Sequence, residues 1–201
     1  MTKEGQGGFL CSLHAARFLA GASDPAHLPR WNYPEIAFAG RSNVGKSALL
    51  NRLVGQHHLA RVSKTPGRTQ QINFFLVDER ILFVDLPGYG FARVPVAVKG
   101  RWKELVEAYL TRREKLRAVV VIVDLRRGVG PEDVQLIAFL SAHQIAAVIV
   151  ATKADKLAYG ERQRRARALA VAVSPMPVIV CSASSGEGVT ELWKVIEEAS
   201  G

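Results

Sequence analysis

The sequence predicts an α/β fold: a doubly wound sheet, mostly parallel with one antiparallel strand, and helices on both faces. Three features predict it. The runs 118–123, 146–151 and 177–181 are apolar almost throughout, the pattern of strands buried under helices on both sides. Helical periodicity over 96–114, 131–143, 160–173 and 189–199 alternates with them. Only Asp78 and Glu79 separate the apolar runs 72–77 and 80–84, which suits an antiparallel hairpin and is too short for the parallel crossover of about a dozen residues. Ligands on such sheets bind beyond the carboxyl ends of the strands.

The 201 residues suffice for one domain with a full core. We place that domain at 35–201, with an N-terminal extension, 1–34, packed on it. Segment 9–20 has some secretory-signal character, but His14 and Arg17 interrupt it and Glu4 offsets Lys3. It reads as a basic, half-buried extension. No apolar run approaches the ~20 residues of a bilayer span, so stable membrane insertion is not expected. Cys11 and Cys181 are the two cysteines, too few for a disulfide framework or a zinc site. A cytoplasmic setting follows from that usage. Lys and Arg number 27 against 18 Asp and Glu, a net charge of +9, which favours polyanionic partners, nucleic acid ahead of an anionic membrane.

Taken in order, the first run, 36–39, leads into Gly40-Arg41-Ser42-Asn43-Val44-Gly45-Lys46-Ser47, and a helical pattern over 47–53 leaves it. The spacing G-x-x-x-x-G-K-[ST] makes a phosphate cradle. Gly40 and Gly45 let the backbone wrap a polyphosphate and aim N–H groups at it, Lys46 reaches the β and γ phosphates, and Ser47 offers a hydroxyl to Mg²⁺. The positive end of the new helix favours the same anion. The polar loop 54–71 suits a segment that orders around a γ-phosphate and Mg²⁺. Thr69 or Thr65 would give the metal its second hydroxyl, and Thr69, nearer the next strand, is preferred.

Asp85 ends the run 80–84 and is followed by Leu86-Pro87-Gly88. An acid there is placed to hold Mg²⁺ through water, opposite Ser47. The Gly88 N–H can approach a γ-phosphate and lose it on hydrolysis. Pro131-Glu132-Asp133 opens the following helix, proline at a first-turn position and acids at the positive end. Ala151-Thr152-Lys153-Ala154-Asp155 ends the run 146–151. The Asp155 carboxylate can accept from both N1–H and the exocyclic amine of guanine, a pattern adenine lacks. Lys153 would lay its stem along the ring. Cys181-Ser182-Ala183 can offer backbone N–H groups, chiefly that of Ala183, to the guanine O6.

The strings 37–47, 63–70, 85–90 and 152–157 closely resemble the EngB family of bacterial GTP-binding proteins, within the TRAFAC class of P-loop GTPases. The resemblance extends over nearly the whole chain. It implies a GTP/GDP site drawn from Gly40 to Ser47, from Gly67, Arg68, Thr69, Gln70 and Gln71, from Asp85, Leu86, Pro87 and Gly88, from Thr152 to Asp155, and from Cys181, Ser182 and Ala183. Lys46, Thr69 and Gly88 would be the catalytic groups, and Ser47, Thr69 and Asp85 the Mg²⁺-holding ones. It implies a GTPase whose intrinsic turnover, lacking an arginine finger, is on the order of 10⁻⁴ s⁻¹ and rises with a partner. It further implies a switch in large ribosomal subunit assembly, with a requirement for normal cell division and septation. The expected partners are a large-subunit precursor and its rRNA, not DNA, and the expected state is a monomer. A different reading is an RNA-binding assembly factor whose nucleotide site is largely structural.

Two residues depart from the broader GTPase pattern. Thr152 stands where most families carry Asn; its hydroxyl can tie the base loop to the P-loop but cannot replace a carboxamide at the ring. Tyr89 stands where many place a water-orienting Gln. Asn43 is either a loop residue bonding its own backbone or part of a K⁺ seat that substitutes for the missing finger. Arg162, Arg164, Arg165 and Arg167 make either a solvated helix face or a phosphate-binding patch, and Arg61, Lys64 and Arg68 crowd the loop.

Overall fold

The computed structural model describes residues 14–56, 59, 71–89 and 96–201. Its strands are β1 (Ala16–Ala22), β2 (Glu35–Gly40), β3 (Ile72–Val77), β4 (Ile81–Asp85), β5 (Leu116–Asp124), β6 (Ala147–Thr152) and β7 (Val178–Val180). The α-helices are α1 (Lys46–Leu53), α2 (Val96–Arg112), α3 (Pro131–Ala142), α4 (Tyr159–Ala172) and α5 (Val189–Ser200). They form one sheet in the order β1-β3-β4-β2-β5-β6-β7. Strand β3 runs against both its neighbours, β1 and β4, while the other pairings are parallel. This is the mostly parallel sheet with one reversed strand that the apolar runs and the short connector predict.

The pleat sorts the side chains into two cores. From β2, Ile36 and Phe38 face one layer, which α1 and α5 close with Leu49, Leu50, Leu53, Leu192, Trp193 and Ile196. Ala37 and Ala39 face the other, closed by Tyr109 of α2, Leu140 of α3 and Leu169 of α4. Each fully buried large apolar side chain contributes about 1.5–3 kcal/mol. The Trp193 indole N–H donates to Leu53 O at 2.8 Å, binding the two helices of the first layer.

Strand β1 is absent from the sequence expectation, which treats 1–34 as an extension. Ala16–Ala22 instead completes the sheet edge against β3, with a register shift between Phe18 and Ala20. The reason it escapes notice is physical: an edge strand needs only half a buried face, this one has no β-branched residue, and Phe18 is 53% exposed. It is well fastened. His14 pairs with Asp78 at 2.5 Å and stacks on Trp193 at 4.1 Å between centroids, and Arg17 bonds Glu79 at 2.9 Å. The β3–β4 turn itself holds Asp78 at φ 51° and Glu79 at φ 52°, the double left-handed geometry that matches strand twist in a two-residue hairpin.

The lower end of the sheet is closed by a buried ion pair. The Glu35 side chain has no exposed surface; Arg113 pairs with its carboxylate and Tyr109 donates to it at 2.9 Å. Arg113 also donates to Pro29 O at 2.5 Å, tying the segment before β2 to the end of α2.

Candidate functional site

Strand register sets the site. Phe38 pairs with Asp85 across β2 and β4, and Asp124 with Thr152 across β5 and β6, so both acids and the Thr152 hydroxyl reach the same rim. The P-loop leaves β2 at Gly40, where a Cβ would stand 2.8 Å from Ile122 O, an approach only glycine permits. It turns into α1 at Gly45, whose φ of 105° is again a glycine conformation. Gly45 has no side chain to cap the helix, so the first-turn N–H donors of Lys46 and Ser47 are available to an anion. Val44 is buried in the core and anchors the loop from below.

Lys46 Nζ is ion-paired with Asp85, both side chains nearly enclosed. Ser47 is half-buried on the first turn of α1. Among the described residues no three His, Cys, Asp or Glu gather to hold a metal. The Ser47 hydroxyl and the Asp85 carboxylate are the hard oxygen donors that Mg²⁺ takes, one or two from protein and the rest from phosphate and water. Leu86 and Pro87 are buried, and the Leu86 N–H donates to Phe38 O at 3.0 Å, holding the turn that presents Gly88.

The base side is built from β6 and β7. Thr152 Oγ1 lies 2.5 Å from Val44 O and 3.1 Å from Val123 O, one donor bridging P-loop and sheet. Lys153, at φ 61°, sends its ammonium back to Asn43 O at 2.5 Å and to Asp124 at 3.0 Å. Asn43 sits at φ 65°, a left-handed position that asparagine tolerates. The loop role accounts for that geometry without K⁺. Ala154 is buried, and its N–H donates to Cys181 O at 3.3 Å; Cys181 N–H donates to Ala151 O at 2.8 Å. These bonds hold the two loops side by side. The Cys181 thiol is pushed up to about 12, mainly by burial, and is an inert packing group. Ala183 is half-buried on the same turn.

Ser182 Oγ donates to Asp155 Oδ1 at 2.7 Å, and that bond, ahead of the cost of burial, holds the Asp155 carboxyl below its usual value. Lys156 pairs with its other oxygen at 3.2 Å. Asp155 is therefore ionised, an acceptor on both oxygens. The sequence reading gave Ser182 only a backbone part and missed the hydroxyl. It also missed Asp124, a 3% exposed acid at the tip of β5. Burial pushes that carboxyl up, but hydrogen bonds from Arg126 and Lys153 outweigh it and hold it well below the usual range. The signal was present: an acid ending an apolar run, the same cue that marks Asp85.

Other expected residues fall elsewhere. Arg41 turns to the start of α3, 4.0 Å from both Glu132 and Asp133. Gln71 bonds Asn73 at 3.0 Å. Thr65, Gly67, Arg68, Thr69 and Gln70, with Arg61, Lys64 and Cys11, lie outside the described residues. The arginine row of α4 is half neutralised: Arg162 pairs with Glu187 and Arg165 with Glu161, leaving Arg164 and Arg167 exposed. Among the described residues, no helix is long and apolar enough to cross a membrane.

A family model described as 50S ribosome-binding GTPase matches residues 35–153, from β2 to Lys153. The chain is 54% identical over 147 residues to the probable GTP-binding protein EngB of Citrifermentans bemidjiense, covering 73% of this chain and 69% of that one. It is 49% identical over 185 residues to the namesake from Geobacter metallireducens, covering 91% of each. A crystal structure of a probable GTP-binding protein engB superposes with a TM-score of 0.68 at 31% identity, covering 82% of this chain and 97% of that one. The glycine loop between β2 and α1 and the ion-paired Lys46 and Asp85 beside it fall within the matched residues, and with these identities they show that the chain belongs to the EngB family of GTP-binding proteins and is a P-loop GTPase.

Proposed function

We propose that this GTPase works with Mg²⁺ as a slow switch in large ribosomal subunit assembly, in the cytoplasm, and that cell division and septation require it. The observation that carries the nucleotide half is the joined rim. Thr152 and Lys153 are bonded to P-loop carbonyls, so the groups that would read guanine and the groups that would hold phosphate move as one piece. Ser47, Asp85 and Thr69 would hold Mg²⁺, which would supply positive charge to offset the negative charge developing on the phosphates. Lys46 would then exchange its carboxylate for phosphate oxygens, and Asp85 its ammonium for the hydrated metal. Each charge keeps a partner throughout, so the exchange avoids stranding a buried ion.

Asp155 would accept from guanine N1–H and the 2-amine, and the Ala183 N–H would donate to O6. The Gly88 N–H would contact the γ-phosphate and lose it after hydrolysis, relaxing the segments on either side. The ribosomal half is supported by the description of the matching family model and by a net charge of +9, which favours a phosphate-rich surface. The test is sedimentation of the protein with large-subunit precursors in GDP or in a non-hydrolysable GTP analogue. Co-sedimentation with the analogue and release in GDP is expected; binding that ignores the nucleotide contradicts a switch.

Tyr89 favours a second reading, an RNA-binding factor with a largely structural nucleotide, because its phenol hydrogen is committed to Asp133 at 2.9 Å. Single-turnover hydrolysis with and without precursor particles separates the two: stimulation supports the switch, and a flat, near-zero rate supports the alternative.

A further inference from the structure

We propose that Asp133 is a positioning residue for the γ-phosphate sensor: by holding Tyr89, it fixes Gly88 against the P-loop and sets how strongly GTP is preferred over GDP. The inference rests on the nucleotide site proposed above and names a residue outside it.

Tyr89 is tied at three points. Its N–H donates to Gly40 O at 3.4 Å and its carbonyl accepts from Ser42 N–H at 3.0 Å, an isolated parallel bridge with Arg41 that carries the β2–β4 pairing onto the P-loop. Its hydroxyl crosses to α3 and donates to Asp133 Oδ1 at 2.9 Å. Asp133 is itself fastened on both oxygens. Its side chain has no exposed surface, and its other oxygen accepts the Gly130 N–H at 2.7 Å, closing the first turn of α3. Arg41 stands 4.0 Å from that same oxygen. A helix cap alone needs only the Gly130 bond and would sit as well in water; the second oxygen is spent on the switch segment.

Burial, the Asp133 charge and the hydrogen bond together raise the Tyr89 phenol far above its ordinary value, so it stays a donor at any working pH. The consequence for Gly88 follows from chain geometry. Consecutive Cα atoms are about 3.8 Å apart, so anchoring Tyr89 leaves the Gly88 N–H little freedom. It is held against the P-loop, where a Cβ on Gly88 would stand 3.2 Å from Ser42 Oγ and 3.5 Å from Gly40 O. Released, the segment must be ordered by GTP at each binding event, a cost borne only by the ligand that contacts Gly88.

Tyr89→Phe removes the hydroxyl and keeps the ring. We expect its affinity for a non-hydrolysable GTP analogue to fall roughly tenfold while GDP affinity stays within about twofold. Asp133→Asn should give the same selective loss, and the double variant should be no worse than the stronger single one, as for two residues acting through one bond. Equal weakening of GDP and analogue, or no change in either, overturns the inference; so does full additivity in the double variant. Thermal midpoints read the capping of α3 separately. A wild-type protein that binds neither nucleotide removes the underlying site and this inference with it, whereas normal wild-type binding with an unchanged ratio in Tyr89→Phe removes the inference alone.

Discussion

Asp155→Asn isolates the basis of guanine choice. In the structure the Asp155 carboxylate is ionised, steadied by Ser182 at 2.7 Å and Lys156 at 3.2 Å. Two hydrogen bonds from guanine to a charged acceptor are worth about 1.5–3 kcal/mol each. Asparagine keeps one acceptor and turns a donor toward the other guanine N–H, so the lost bond costs roughly 1.5–3 kcal/mol, about 10–10²-fold in Kd. Xanthine carries a carbonyl where guanine carries its 2-amine, and that carbonyl accepts from the new amide. The assay is parallel titration with fluorescent GDP and XDP at fixed salt. GDP should weaken by that factor and XDP should strengthen. A GDP affinity within threefold of wild type, or XDP binding that does not improve, would refute the assignment. The sign with pH is fixed by the same group. A carboxyl held below its usual 3.8 stays charged as pH falls, so GDP preference should be flat down to about pH 4 and decline only below it.

Other expectations follow from single contacts. Thr152→Val leaves the buried Val44 carbonyl without its 2.5 Å donor; about 1–3 kcal/mol of stability should be lost, read as a lower urea midpoint, with weaker GDP binding because the P-loop loosens. Unchanged midpoint and affinity would mean that the bridge is idle. Glu35→Gln leaves Arg113 buried without its counter-charge and should cost about 3–5 kcal/mol, a fall of roughly 6–20 °C in Tm. GDP affinity of the folded fraction should not change, since Glu35 opens β2 at the end away from Gly40.

The parts of the molecule legible in the sequence are those where one physical constraint acts alone. β5 and β6 are apolar on both faces because helices cover both, and the glycine spacing of the P-loop is dictated by backbone geometry that no other residue supplies. β1 was not legible because its pairing with β3 supplies what its composition does not. In the candidate site, the residues proposed to meet the nucleotide stand out in the sequence, whereas the contacts that orient them do not, even where the orienting residue, as Asp124, carries a cue of its own. Ser182, Asp124 and Asp133 act on Asp155, Lys153 and Tyr89 over separations of 27, 29 and 44 residues, and a single chain written linearly gives no sign of such pairs. The arginines of α4 show the converse. Their spacing suggests a row of free charge, and partners on Glu161 and Glu187 remove half of it.

The central claim is that one rim, where the parallel strands end, holds a guanine nucleotide through bonded P-loop and base loops. Titration calorimetry of the purified protein with GDP, GTP and ADP, each with Mg²⁺, tests it most directly. Saturable heat at one site per chain for both guanine nucleotides and none for ADP is the predicted result. Heat from ADP equal to that from GDP, or none from any of the three, would contradict it.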